Sequence, residues 1–205
     1  MAGGFSVGLH GDLQTMGARE RILATAHQLF YRDGIRATGV DRLIAESGVA
    51  KLTFYRHFPA KDALVRVYLE DRHERWMAWL VDALGRHGAG APGAGLQPLL
   101  PAMREWFEAP VFRGCAFINA VAEVADSLPA AMDISRRHKA DMLDVIAGLL
   151  PDGARDGQAR AHAAAVAVDG AIIQAQMNGC EAALAALGQL LDALQPPVEA
   201  RKAAA

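Results

Sequence analysis

Apolar positions recur along this chain at the spacing of helices rather than strands. From about Ala18 to Asp33, Ile22, Ala26, Leu29 and Phe30 fall at i, i+4, i+7 and i+8, which is one apolar helix face. Gly34 supplies the stop expected just past a helix C-terminus. Thr38 or Gly39 can cap a second helix whose apolar positions are Val40, Leu43 and Ile44, and which ends at Ser47-Gly48. A third, short helix is expected from about Lys51 to His57. Pro59 is tolerated at the start of a fourth, which continues through Leu64, Val67 and Tyr68 towards Leu84. The glycine-rich run at 85–98 then reads as a loop, and helical stretches follow at about 97–109, 114–126, 130–150, 155–178 and 181–194. No stretch alternates apolar and polar at period two between turn signals. The expected class is all-α, with about nine helices.

Composition narrows this picture. The 205 residues, 52% hydrophobic and 21% charged, are enough for one large domain or two small ones and exclude wholesale disorder. The apolar run at 161–177 comes closest to a membrane span, but Asp169, Gln174 and Gln176 interrupt it, so a buried helix is the better expectation. The N-terminal segment lacks a basic region followed by an apolar one, and its glycines suggest a mobile tail. Two cysteines, Cys115 and Cys180, make neither a disulfide framework nor a zinc cluster. A cytoplasmic location follows as the expectation. Charge is unevenly spread: residues 17–66 carry nine Arg and Lys against five Asp and Glu, whereas residues 67–205 carry twelve against seventeen. That asymmetry suits a small module that meets a polyanion, attached to a body that does not.

The stretch "VAKLTFYRHF" at 49–58 holds three of the chain's aromatic residues among two certain cations and a histidine. Two short helices joined by a glycine-containing turn after a longer one form a helix-turn-helix unit, whose second helix enters the DNA major groove. Phe54 and Phe58, four apart, would face inward, leaving Lys51, Leu52, Thr53, Tyr55, Arg56 and His57 on the rest of the surface. On this pattern alone, a solvated helix face with two core phenylalanines is about as good an account.

The longer run 20–65, "ERILATAHQLFYRDGIRATGVDRLIAESGVAKLTFYRHFPAKDALV", resembles the N-terminal domain of the TetR family of transcriptional regulators. The matching pieces are L-F-x-x-x-G-I with its following threonine, then I-A-x-x-x-G-V, then Y-R-H-F-P-x-K-x-A-L. The resemblance implies that Thr38, Tyr55, His57 and Lys61 contact backbone phosphates, while Lys51, Leu52, Thr53 and Arg56 face base edges or nearby phosphates. Position 50 is Ala where the family usually has a capping Ser, a loss of about 1 kcal/mol. Position 52 is Leu where Gly or Ala is usual; the bulkier group either meets a thymine methyl or re-aims the helix.

The resemblance divides the chain into a tail at 1–16, a DNA-binding helix-turn-helix domain at 17–66, a ligand-binding and dimerisation domain at 67–195, and a second tail at 196–205. It also implies a homodimer built on the last two helices, for which Ala164, Val168, Ile172, Leu184, Leu187 and Leu191 are candidates. The alternative is that these residues close the subunit's own core. Candidates to line an inducer pocket are Trp106, Phe107, Phe112, Cys115, Phe117, Asn119, Glu123, His138, Met142, Asp169 and Ile173. Asn119, Glu123 and Asp169 are favoured as polar groups in apolar surroundings, whereas His138 lies in a charged stretch that reads as surface. Cys115 at a helix start, in a piece similar to a subgroup that answers to electrophiles, makes thiol sensing a minority alternative to an inert cysteine.

Other functions fit less well. The glycines at 88, 90 and 93 spell G-x-G-x-x-G, but a helix rather than a strand precedes them and a proline interrupts them. Glu70 and His73 give one half of a di-iron pattern with no second copy, so no metal, cofactor or enzymatic activity is expected. A ligand-independent DNA-binding protein would have little use for the large, non-basic body. The expectation is therefore a dimeric transcriptional regulator, more a repressor than an activator, with an operator duplex and a small organic inducer as partners.

Overall fold

The computed structural model describes residues 15–91, 94–151 and 156–195, and among them there are nine α-helices and no strand. The helices are α1 (Ala18–Asp33), α2 (Val40–Ser47), α3 (Lys51–His57), α4 (Lys61–Arg86), α5 (Leu99–Phe107), α6 (Ala116–Val124), α7 (Pro129–Ala147), α8 (Gly157–Asn178) and α9 (Cys180–Leu194). The all-α expectation holds, and most bounds agree within three residues. Pro59 stands in the turn before α4 rather than inside its first turn. The tail proposed at 196–205, nearly all of that at 1–16, and Gly93 lie outside the described residues.

The helices sort into two compact units. One contains α1, α2, α3 and α4 as far as Arg75, together with Cys115–His138, and so α6 and the first half of α7. The other contains α4 from Trp76, α5 and the chain to Gly114, then the rest of α7 from Lys139 with α8 and α9. The division between these compact units falls inside α4, and α6 shares a unit with the helix-turn-helix.

The first unit shows why. Its core is Ile22, Leu29, Leu43, Phe54, Leu64 and Leu69, each fully buried, with Phe30 edge-on to Tyr68 at 5.3 Å. Glu123, projecting from α6, accepts a hydrogen bond from the Arg36 N–H at 2.9 Å, in the loop between α1 and α2. The same carboxylate would lie 3.0 Å from a Cβ at position 34, where φ is 94°. Glycine is thus required at Gly34 both for its backbone angle and for the approach of Glu123. Arg72 is buried against the Tyr31 ring, 3.9 Å from its centroid, and the buried His27 lies 2.7 Å from Asp71. Burial at Tyr68 pushes its phenol up to about 12.

In the second unit, Trp76, Trp79 and Trp106 cluster with centroid separations of 5.4 to 6.2 Å. Arg86 forms a paired hydrogen bond to Glu105 at 2.7 and 2.9 Å, joining α4 to α5. A Cβ at Gly188 would come within 3.3 Å of Leu100, so α5 and α9 pack closely there. Helices α8 and α9 pack along Ala164, Val168, Ile172, Leu184, Leu187 and Leu191, none more than 1% exposed. These six were expected at a dimer interface. Each is already buried within the single subunit.

His27 gives the fold a pH dependence. Burial lowers its pKa below 6.5 despite the Asp71 carboxylate, and Arg72 and Arg75 add to the lowering. The unfolded histidine takes up its proton near pH 6.5 and the folded one only at lower pH. Stability from this site is therefore complete above about pH 6.5 and is lost as pH falls towards the folded pKa. The melting temperature is expected to drop between about pH 7.5 and 5.5, and His27→Gln to reduce that drop, as followed by circular dichroism. An unchanged slope in the variant would assign the dependence to other groups.

Candidate nucleic-acid interface

Seven residues are too few to form a helix unaided, so α3 depends on what it buries. Gly48 ends α2 in the left-handed conformation at φ 64°, turning the chain towards α3. Ala50 stands at the N-cap with no side-chain hydrogen bond, as the sequence implied. The helix is held instead by Phe54 and Phe58, at 0% and 2% exposure, with ring centroids 6.3 Å apart. The Arg19 guanidinium covers the Phe58 ring at 5.4 Å.

With those rings inward, the opposite face is set. Leu52 is 82% exposed and Tyr55 41%, and Lys51 and Arg56 are also exposed. Leu52, Tyr55 and Arg56 stand at i, i+3 and i+4, so they share one surface. Thr53 and His57 flank it, half-buried. Most nearby cations are engaged locally: Arg42 meets Asp33 and Glu46 at 2.8 Å each, and Arg32 meets Asp33 at 2.8 Å. Lys51 is only loosely paired, 3.9 Å from Asp41, and Arg56 forms no ion pair among the described residues. No acidic residue lies within α3. The outer face thus offers two cations, a phenol and one large aliphatic group.

Two expected phosphate contacts also bond within the loop between α1 and α2. Thr38 is fully buried; its hydroxyl donates to the Gly34 carbonyl at 2.7 Å and its amide to Ile35 at 3.3 Å. Both donors are spent inside the loop, so Thr38 shapes the entry to α2, and Gly39 takes the N-cap. Lys61 donates one N–H to the Ile35 carbonyl at 2.5 Å. Burial lowers its pKa from the ordinary lysine value, with Glu123 and Asp62 opposing. Its ammonium steadies the same loop, with two N–H groups left for another partner.

Residues 22–68 match the family described as bacterial regulatory proteins, tetR family. Across 87% of its length the chain superposes on a TetR-family transcriptional regulator from Streptomyces coelicolor, covering 96% of that protein with 32% identity and a TM-score of 0.75. The chain belongs to the TetR family of transcriptional regulators. Reduced NemR of E. coli, 20% identical with a TM-score of 0.72 over 88% of this chain and 99% of that one, shares the fold. Among curated relatives from Bacillus subtilis, the HTH-type transcriptional regulator LmrA is 32% identical over 84 residues, 40% of this chain and 44% of that protein. YerO, also an HTH-type regulator, is 40% identical over 47 residues, 23% of this chain. The chain spans 16% of YerO's length, so less than half of either curated relative.

The residues expected around an inducer in this TetR-family chain are divided between the two units. In the second, Trp106 lies 5.9 Å from Phe107 and 5.4 Å from Phe112, in one aromatic group with Trp76 and Trp79. Met142 is buried and Ile173 half-buried there, while the Asp169 carboxylate is engaged by Lys139 at 2.5 Å. In the first, Phe117 stacks on His138 at 3.7 Å and Cys115 is only 3% exposed. The Asn119 N–H donates to the Cys115 carbonyl at 3.0 Å. His138 is 1% exposed rather than on the surface, its Nδ1 lying 3.3 Å from that of His73. Glu123 and Asp169, favoured as unsatisfied polar groups, have partners in Arg36 and Lys139. Glu70 turns to Arg137 rather than to His73. Ligand atoms of Glu108, Cys180 and Glu181 lie within 4.8 Å of one another, but Arg104 engages both carboxylates.

Sequence reasoning missed Trp76 and Trp79, which stand three apart on α4 and so share a face. It also missed an outer stripe on α8 and α9. Val166, Met177 and Leu190 are 71%, 72% and 50% exposed, and a groove of about 450 Å³ runs along Val166, Gly170, Gln174, Ala186 and Leu190. The signal was present: α8 is apolar nearly all round, more than one seam requires.

Anchor and outer face should separate on mutation. Phe54→Ala is expected to cost about 3–5 kcal/mol in urea unfolding, the range for emptying a buried aromatic site. Tyr55→Ala is expected to stay within about 1 kcal/mol of wild type. Equal losses would place Tyr55 in the core.

Proposed function

We propose that this protein is a dimeric, operator-binding transcriptional repressor of the cytoplasm, released by a small organic molecule, rather than an enzyme. The observation that carries the reading is the division of α3. Phe54 and Phe58 anchor it, and Lys51, Leu52, Tyr55 and Arg56 stand outward where a groove-binding helix needs contacts. Tyr55, His57 and the remaining Lys61 donors are assigned to phosphates, and Lys51, Leu52, Thr53 and Arg56 to base edges or nearby phosphates.

The dimer is assigned to the outer stripe of α8 and α9, through Val166, Gly170, Gln174, Met177 and Leu190, in place of the six buried seam residues. Exposed apolar side chains bordering a groove favour a second apolar surface over water. Two copies then present two recognition helices to a palindrome, which multiplies specificity. The inducer is assigned to the aromatic group around Trp106, with Phe107, Phe112, Met142 and Ile173. A ligand there would act only through different affinity for the DNA-competent and released arrangements. The continuous α4, which contributes to both units, is the mechanical link this requires. Cys115 carries no thiol-sensing role in this reading, because its side chain is buried.

Fluorescence anisotropy with duplexes from around the protein's own gene tests the reading. One fragment should bind tightly, lose affinity steeply with salt, and be released by Tyr55→Ala at least tenfold more readily. Folded protein that binds no fragment at low salt, or all fragments alike, would overturn it. For the dimer, Val166→Asp combined with Leu190→Asp is expected to halve the mass seen in analytical ultracentrifugation while leaving helical content intact. A monomeric wild type would remove the dimer from the proposal.

A further inference from the structure

Among the large aliphatic side chains of the helix-turn-helix, Val40 and Ile44 are half-buried and only Leu52 is exposed. Ile22, Leu23, Leu29, Ile35, Leu43 and Val49 are at most 8% exposed, whereas Leu52 is 82% exposed, the highest value for a large hydrophobic residue among the described residues. It supports no core, since the inward face of α3 is already supplied by Phe54 and Phe58. It lies in the first turn of α3, the part of a recognition helix that reaches base edges, and Tyr55 and Arg56 lie one turn on along the same surface.

We infer that Leu52 is a specificity determinant that reads the 5-methyl group of a thymine; the inference rests on the operator-binding reading. A leucine offers no hydrogen bond, so it cannot tell bases apart by donors and acceptors. The major groove presents one apolar feature, the thymine C5-methyl, and at cytosine the same position carries only hydrogen. Burying Leu52 against that methyl removes apolar surface from water on both partners. Against a polar base edge the same side chain would desolvate groups without replacing their hydrogen bonds, which disfavours other bases at that position. Lys51, one residue earlier, and Arg56, one turn later, are placed to fix the register in which Leu52 meets its base.

The test begins with selection of an operator from random-sequence duplexes by the full-length protein. Each thymine of the selected operator is then replaced singly by deoxyuridine, which lacks only the methyl, and binding is measured by anisotropy. One thymine in each half-site is expected to weaken wild-type binding about fourfold on replacement, the factor for one buried methyl-sized group. Leu52→Ala should bind the unmodified operator more weakly by a similar factor and be indifferent to deoxyuridine there. Because Leu52 is so exposed, the variant should keep its fold, which its circular dichroism spectrum and melting temperature verify. If every deoxyuridine is tolerated, or weakens wild type and variant alike, the assignment is overturned while operator binding stands. If selection with folded protein yields no consensus, the operator reading and the assignment fall together.

Discussion

A helix of seven residues without a cap exists here only because two phenylalanines are buried beneath it. Helix nucleation is unfavourable, and the missing N-cap bond at Ala50 removes a further contribution of about 1 kcal/mol. Phe54 and Phe58 supply what propensity does not, and Arg19 closes over the second ring. Because those rings fix the rotation of α3, they also decide which residues stand outward. Orientation of the candidate DNA-reading face is thus a consequence of core packing, and a polar face need not be specified separately.

The same logic governs the loop that leads into the helix-turn-helix. Gly34, Ile35, Arg36 and Thr38 form a corner whose polar groups are nearly all occupied, by Glu123, by Lys61 and by one another. Glu123 comes from α6, far along the chain, so the position of the α1–α2 corner depends on a helix outside the module. Any change that moves α6 would be felt at that corner before it was felt at α3. Thr38 holds that corner with its hydroxyl and its amide, and Lys61 gives one N–H to it.

How much could be seen beforehand follows from which signals are local. Helices α1 to α3 were legible almost residue by residue because Gly34, Gly48 and the spacing of Ile22, Leu29, Phe54 and Phe58 act within a turn or two. Partners were not legible, because periodicity gives a face and not what that face meets. His138 sits among Arg136, Arg137 and Lys139, yet it is the position in that group that points inward and stacks on Phe117. Asp169 interrupts an apolar run, yet it lies at the half-exposed edge of α8 where Lys139 reaches it. The six residues Ala164, Val168, Ile172, Leu184, Leu187 and Leu191 are buried within the single subunit, whereas Val166, Met177 and Leu190 are exposed. On a helix with two apolar stripes, composition does not tell which one the chain buries by itself.

Electrostatics bears on the proposed role of the apolar group at Leu52. Within the module Arg32 and Arg42 are tied to Asp33 and Glu46, and Lys61 is partly drawn into the α1–α2 corner. Lys51 and Arg56 on the outer face of α3 can release counterions from the phosphate backbone, but that attraction does not tell one base sequence from another. In the proposed operator complex, sequence preference therefore rests on base contacts. A recognition face with Arg56 and Lys51 beside a leucine combines hydrogen-bonding cations with a group that is favourable only where the groove is apolar. Such a face discriminates by what it rejects as well as by what it holds.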